Sequence, residues 1–241
     1  MEVQQVQLQD LGNIHYREAW DYQEKLLNQN LELKAQARLA NIPPHNVRTK
    51  NYFLLCEHPP VFTLGKSGDP AHVLLNDAKR EELGIEYFHT NRGGDITFHG
   101  LQQIVGYPIL DLEKFYTDIG KYLRNLEEVI IKAIAEYGIK GERSPGETGV
   151  WIDPKIPGRE RKIAAIGVRC SRWITMHGFA LNVNTDLSYF NHIIPCGIQH
   201  KQVTSVEKEL GEKVDFAEAK RIICKKFEEV YQVELLESAI V

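Results

Sequence analysis

The sequence predicts an α+β fold, a mixed sheet flanked by helices within a single domain over residues 1–241. Three observations lead there. Three amphipathic segments are long enough for stable helices, at residues 15–40, 114–137 and 215–231. Many short apolar runs lie between them, and several of these follow one another with only a turn intervening. The regular strand–helix alternation of a wound parallel sheet is absent, as are internal repeats and low-complexity tracts.

Taken in order, residues 3–8 alternate apolar and polar side chains, as an edge strand does. In the first helix Trp20, Leu26, Leu27, Leu31 and Leu33 recur among Glu, Lys and Gln, and Pro43-Pro44 blocks continuation. Short strands are expected at 51–56 and 61–64, around His58-Pro59-Pro60. A short helix over 76–83 takes Asn76 as its cap and stops at Gly84, and a strand follows at 85–89. Residues 90–103 are the least regular stretch. A buried strand is expected at 104–110, and Gly138 closes the second long helix. A strand at 148–152, a polar hairpin turn at 153–161 and consecutive strands at 162–173 and 174–183 come next.

Composition narrows the function. Hydrophobic residues make up 43% and charged residues 26%, which is ordinary for a folded domain. A formal net charge of −4 lacks the basic excess of a nucleic-acid binder. No apolar run approaches the ~20 residues of a membrane span, and residues 1–10 show neither a basic start nor an apolar signal core. A cytoplasmic protein without a membrane partner is therefore expected.

The four cysteines, Cys56, Cys170, Cys196 and Cys224, form no Cys-x-x-Cys pair that would support a local metal site, and in a chain this long with no secretion signal they read as reduced thiols rather than a disulfide framework. Cys56 sits between apolar neighbours in a strand, Cys170 lies within a strand, and Cys224 follows Ile222 and Ile223 on a helix. Cys196 differs. Pro195 restricts the backbone before it and Gly197 leaves room beside the sulfur, as suits a nucleophile on a rigid turn. A free thiol titrates near about 8.5, and bringing it to about 6.5 requires about 2.7 kcal/mol of selective stabilisation of the thiolate. A nearby cation supplies such an effect; Lys162, His177 and His192 are the candidates. Upstream, the run Arg92-Gly93-Gly94-Asp95-Ile96-Thr97-Phe98-His99-Gly100 concentrates glycines between two strands, where a pocket could be lined with backbone amides. It matches neither nucleotide-phosphate motif.

Five segments in order carry a resemblance. They are Arg92-Gly93-Gly94-x-x-Thr97-Phe98-His99-Gly100-x-x-Gln103, Thr148-Gly149-Val150-Trp151, Lys162-Ile163-Ala164-Ala165-Ile166-Gly167, His177-Gly178-Phe179-Ala180-Leu181-Asn182-Val183 and Pro195-Cys196-Gly197. Together they resemble the lipoyl(octanoyl) transferase family, with Phe98 where the family usually has tyrosine and a longer stretch at 153–161. The resemblance implies the fold of biotin and lipoate protein ligase catalytic domains. It implies that Cys196 carries an acyl thioester and that Lys162 lowers its pKa and shuttles protons. The residues Arg92, Gly93, Gly94, Asp95, Ile96, Thr97, Phe98 and His99, with Ala165, Ile166, Gly167, Gly178, Phe179 and Ala180, are expected to bind substrate, with His177 in support. The implied partners are octanoyl-acyl carrier protein as donor, and as acceptors the lipoyl domains of 2-oxoacid dehydrogenase complexes and the glycine cleavage H protein. The chain is expected to act as a monomer without ATP or metal. The rival readings are an ATP-dependent ligase of the same fold and a non-catalytic binder of carrier domains.

Overall fold

The computed structural model describes residues 3–194 and 202–237. The chain opens with β1 (Gln4–Asn13), α1 (Tyr16–Leu39), β2 (Asn51–Glu57) and β3 (Val61–Leu64). It continues through α2 (Asp77–Glu82), β4 (Glu86–His89), β5 (Ile96–His99), β6 (Gln103–Ile109) and α3 (Ile119–Ala135). Then come β7 (Val150–Ile152), β8 (Arg161–Ser171), β9 (Ile174–Asn182), β10 (Gln202–Val203), α4 (Val206–Leu210), α5 (Phe216–Tyr231) and β11 (Val233–Glu237). The larger sheet runs β10-β8-β9-β6-β2-β1-β11, with β7 also paired to β8; a small sheet runs β4-β3-β5. Both mix parallel and antiparallel neighbours.

The expected hairpins form. β7 pairs antiparallel with β8 across the 153–160 connection. β8 turns into β9 through Arg172 and Trp173 alone, at φ of 48° and 67°; two successive positive values suit a tight hairpin turn whose twist matches the strands. Caps follow local chemistry: the Asn76 side chain accepts from the Lys79 amide, and that of Asp215 from the Glu218 amide.

Several elements differ from expectation. β1 is no edge strand, because it lies between β2 and β11, parallel to both. Its outer partner comes from the far end of the chain, which a local pattern cannot show. The stretch read as irregular contains β5, four residues paired antiparallel to β3 and hidden by flanking glycines. α3 starts at Ile119 rather than near 114, since the Asp118 side chain caps it by accepting from the Lys121 amide. The short α4 was not foreseen.

The large sheet is covered on both faces. α3 and α5 bring Leu126, Val129, Ile130, Ile223 and Phe227 against Phe53, Ile104 and Leu181. On the opposite face α1 packs Ala19, Leu26 and Leu27 against Leu54, Val105, Ile109 and Met176. A third cluster, Phe62, Leu64, Ile96, Phe98, Phe190 and Ile193, belongs to the small sheet and the chain beside it. Among the described residues no helix is long and apolar enough to cross a membrane.

Phe227 is fully buried, stacked 4.2 Å from Phe53 and 4.5 Å from Tyr231. Phe227→Ala should therefore cost about 3–5 kcal/mol, through lost burial and a residual cavity, read as a lowered urea midpoint at unchanged slope.

Candidate active site

A cavity of about 470 Å³ lies against β6, β8 and β9, with the 92–99 segment and Tyr16 of α1 completing its wall. Ala164, Ala165, Ile166 and Gly167 come from β8, and His177, Gly178, Phe179, Ala180 and Asn182 from β9. In register, Ala165 faces Ala180 and Gly167 faces Gly178, so four small residues in two pairs leave the space. The glycines do more than leave room. A Cβ on Gly178 would lie 2.1 Å from the Gly106 carbonyl oxygen, and one on Gly167 would lie 2.8 Å from that of Gly93. Neither position accepts a side chain without moving backbone.

Of the residues expected to bind substrate, Arg92, Gly94, Asp95, Ile96, Thr97, His99, Ala165, Ile166, Gly167, Gly178, Phe179 and Ala180 all border this cavity, as do His177 and Lys162. Two are placed elsewhere. Phe98 points into the small-sheet cluster, stacked 4.7 Å from Tyr189 and edge-on to Phe62, because alternation along β5 turns it from its neighbours Thr97 and His99. Gly93 does not border the cavity; its amide donates to the Val168 carbonyl at 2.9 Å and ties the loop to β8. Cys196 lies outside the described residues. Tyr16, Gln103, Val105, Tyr107, Asn182, Phe190 and Val203 also line the wall but were not anticipated. Gln103 and Asn182 stand inside motifs already noted; Tyr16, on a helix far back in the chain, gives no such signal.

The polar wall is ordered by one directed hydrogen-bond chain. The Arg92 guanidinium donates to the Thr63 carbonyl and hydroxyl. That hydroxyl then has its proton free for His99 Nε2, 3.3 Å away. His99 Nδ1–H donates to Gln103 Oε1 at 2.9 Å, Gln103 Nε2 donates to Asn182 Oδ1 at 2.9 Å, and Asn182 Nδ2 donates to the Thr204 carbonyl at 3.0 Å. Each member's donor and acceptor ends are assigned by its neighbours, which selects the Nδ1–H tautomer of His99. Burial, with His58 nearby, holds the His99 pKa well below the usual histidine range.

Two further imidazoles behave alike. His58 Nδ1 donates to the Ile14 carbonyl and its Nε2 accepts from the Tyr107 hydroxyl, both at 2.7 Å; burial brings its pKa to about 4. His177 is 1% exposed, at φ 59° beside Gly178. Asn91 donates through Nδ2 to Glu24, so its Oδ1 takes the His177 Nε2–H at 2.8 Å. That leaves His177 Nδ1 as a lone-pair acceptor without a partner among the described residues. Burial first, then Arg92 and Arg169, lowers the His177 pKa to about 3.

Lys162 stands toward the other end of the cavity wall. Its Nζ lies 4.6 Å from the centroid of the Trp151 ring, whose face attracts a cation. Val203 of β10 pairs with it in register, so the chain returning from the 195–201 stretch lands on this lysine. Burial pushes the thiols of the three described cysteines upward, Cys224 to about 12, which keeps them protonated at neutral pH. Among the described residues no group of three or more His, Cys, Asp or Glu is gathered to hold a metal ion.

Residues 15–228 match the lipoyl protein ligase A/B catalytic domain. The chain is 55% identical over 232 residues to an octanoyltransferase of Flavobacterium psychrophilum, covering 96% of this chain and 98% of that one. It is 53% identical over 232 residues to an octanoyltransferase of Christiangramia forsetii, covering 96% and 97% respectively. Among solved structures it resembles the bipartite lipoate protein ligase of Thermoplasma acidophilum, with a TM-score of 0.70 at 17% identity over 99% of this chain and 88% of that one. A lipoate-protein ligase A bound with ATP superposes with a TM-score of 0.67 at 14% identity, covering 100% and 90%. These two likenesses speak for the fold.

The three neutral imidazoles set an acid limit. Each has a folded pKa below its unfolded value of 6.5, so the unfolded chain binds the extra protons. Their contribution is complete above pH 6.5 and declines as pH falls toward about 4, by about 1.4 kcal/mol per pH unit for each group. Chemical denaturation between pH 6.5 and 4.5 should show this slope, and His58→Gln should remove about one third of it.

Proposed function

Because the chain belongs to the lipoyl protein ligase A/B catalytic domain family and is an acyltransferase of the octanoyltransferase type, we propose that it moves an octanoyl group from acyl carrier protein to a lysine ε-amine on a lipoyl domain, through a thioester on Cys196. The observation that most supports this reading is the placement of Lys162 on the wall of a cavity made by Ala164, Ala165, Gly167, Gly178 and Ala180. The chain approaches and leaves the Cys196 segment beside that wall. Phe190 and Val203 both border the cavity, and the Ile194 amide is anchored on the His72 carbonyl at 2.8 Å.

In the first step the Cys196 thiolate attacks the carbonyl carbon of octanoyl-acyl carrier protein. The carrier sulfur leaves and takes a proton from the Lys162 ammonium. In the second step the neutral acceptor amine attacks octanoyl-Cys196, Lys162 receives the amine proton, and the Cys196 thiolate departs unchanged. The enzyme thioester keeps the acyl group activated until an amide forms. The seven carbons beyond the carbonyl offer several kcal/mol of gross affinity, at about 0.8 kcal/mol each, to a wall of small apolar residues. His99 and His177, held neutral, line the tunnel without adding charge to it.

On this reading the acceptors are lipoyl domains of 2-oxoacid dehydrogenase complexes and the glycine cleavage H protein. The enzyme works as a monomer in the cytoplasm, without ATP or metal.

Incubation with octanoyl-acyl carrier protein should add one octanoyl mass to Cys196, detected by peptide mass spectrometry. Unmodified Cys196 in fully reduced protein, or turnover that requires ATP, overturns the thioester route. Cys196→Ala should abolish transfer. Lys162→Ala should slow thiol alkylation at pH 7 roughly tenfold or more and move its pH profile upward; an unchanged profile removes Lys162 from its role.

A further inference from the structure

We propose that Glu127 is a positioning residue for the reaction: its buried carboxylate, by holding the Gly149 amide, fixes the turn against which the Lys162 side chain lies. The inference rests on the reading of Lys162 as proton carrier. Glu127 is on α3, whose inner face is otherwise built from Tyr122, Leu126, Val129, Ile130 and Ala133, and it is 0% exposed. Oε1 accepts from the Gly149 amide at 3.1 Å. Oε2 takes Arg124 Nη1 at 2.6 Å and Arg143 Nε at 3.0 Å. Arg143 also donates to the Arg124 carbonyl at 3.0 Å and to Glu128 at 2.6 Å.

This carboxylate therefore grips residues 143–149 at both ends. Arg143 adjoins Glu142, which exchanges two backbone hydrogen bonds with Trp151, at 2.8 and 2.9 Å. Gly149 has φ 123°, and a Cβ there would lie 2.6 Å from the Ala164 carbonyl oxygen and 3.5 Å from Lys162 Cε. The turn backbone thus passes directly beside the Lys162 stem, while the Trp151 ring lies under its Nζ at 4.6 Å. Lys162 is held between two parts of one segment, and Gly146, Glu147 and Thr148 of the same segment border the cavity.

The two arginines are both taken by Oε2. The bond from Oε1 to a backbone amide beside the lysine is the additional feature. Without it the turn can drift from α3, and the Lys162 stem loses its support on that side. A displacement of about 1 Å at a catalytic group costs up to roughly a hundredfold in rate, with substrate binding in the cavity retained.

The test is Glu127→Asp in the full-length protein, which keeps the charge between Arg124 and Arg143 but retracts it from Gly149. Protein labelled at lysine ¹³Cε reports on Lys162, assigned by loss of its signal in Lys162→Arg. We expect the Lys162 signal to move in Glu127→Asp, kcat to fall at least tenfold, and KM for octanoyl-acyl carrier protein to stay within twofold. Phe227→Ala serves as a destabilised control, with its Lys162 signal unmoved. An unmoved signal in folded Glu127→Asp, or equal movement in Phe227→Ala, overturns the proposal. Should Glu127→Asp not fold, amide exchange in the wild-type protein decides: Gly149 is expected to exchange at least a hundredfold more slowly than Thr148, and equal rates overturn it. Intact transfer in Lys162→Ala would instead sink the reading of Lys162, leaving the signal of Glu127→Asp to judge the positioning on its own.

Discussion

The approach of backbone to backbone at Gly167 and Gly178 is the constraint on which the rest of the cavity depends. Gly178 lets β9 press against β6, and Gly167 lets the 92–94 loop press against β8. A third close approach, where a Cβ on Gly65 would lie 2.2 Å from the Gly94 carbonyl oxygen, brings the end of β3 to the same loop. The Gly167 contact joins the small-sheet loop to the large sheet, and Ala165 and Ala180 add two further small side chains to the cavity wall. Larger residues in the same register would fill it and push the sheets apart.

Joining the sheets in this way buries polar groups, and the structure meets that cost by directing hydrogen bonds. Arg92, Thr63, His99, Gln103 and Asn182 form one line in which each acceptor faces a donor. An unpaired member in so dry a place would cost on the order of 1–3 kcal/mol. The imidazoles avoid a larger penalty by staying neutral. The small-sheet cluster adds stiffness beneath the line, because Phe98 stacks on Tyr189 and meets Phe190 edge-on. That explains how a phenyl group at this position can serve: it supports the loop from behind, where a phenol hydroxyl has no direct bearing on the cavity.

The same burial that keeps imidazoles neutral separates the cysteines. Cys56, Cys170 and Cys224 sit where the thiolate is disfavoured. Lys162, by contrast, sits in the cavity wall with its ammonium over an aromatic face, and β10 delivers the chain to its side. The segment 142–151 supplies both the ring and the adjoining turn, and α3 holds that segment through a buried carboxylate. A chain of contacts therefore runs from the helical layer, through the turn, to the wall of the cavity.

What the sequence determined alone is local. The three long helices, most of the strands, the 153–161 turn, the Asn76 cap and the glycine- and alanine-rich character of residues 164–167 and 178–180 were legible, because periodicity, capping and side-chain size act over a few residues. The family was legible as well, since five motifs stand in order along the chain. Pairings between distant segments were decided by tertiary structure: β11 beside β1, β5 within an apparent loop, Phe98 turned from the cavity, and Tyr16 and Glu127 reaching it or its supports from helices. Such contacts form only when surfaces far apart in the chain are buried against each other, and no local pattern encodes which distant carbonyl, amide or ring a side chain will meet.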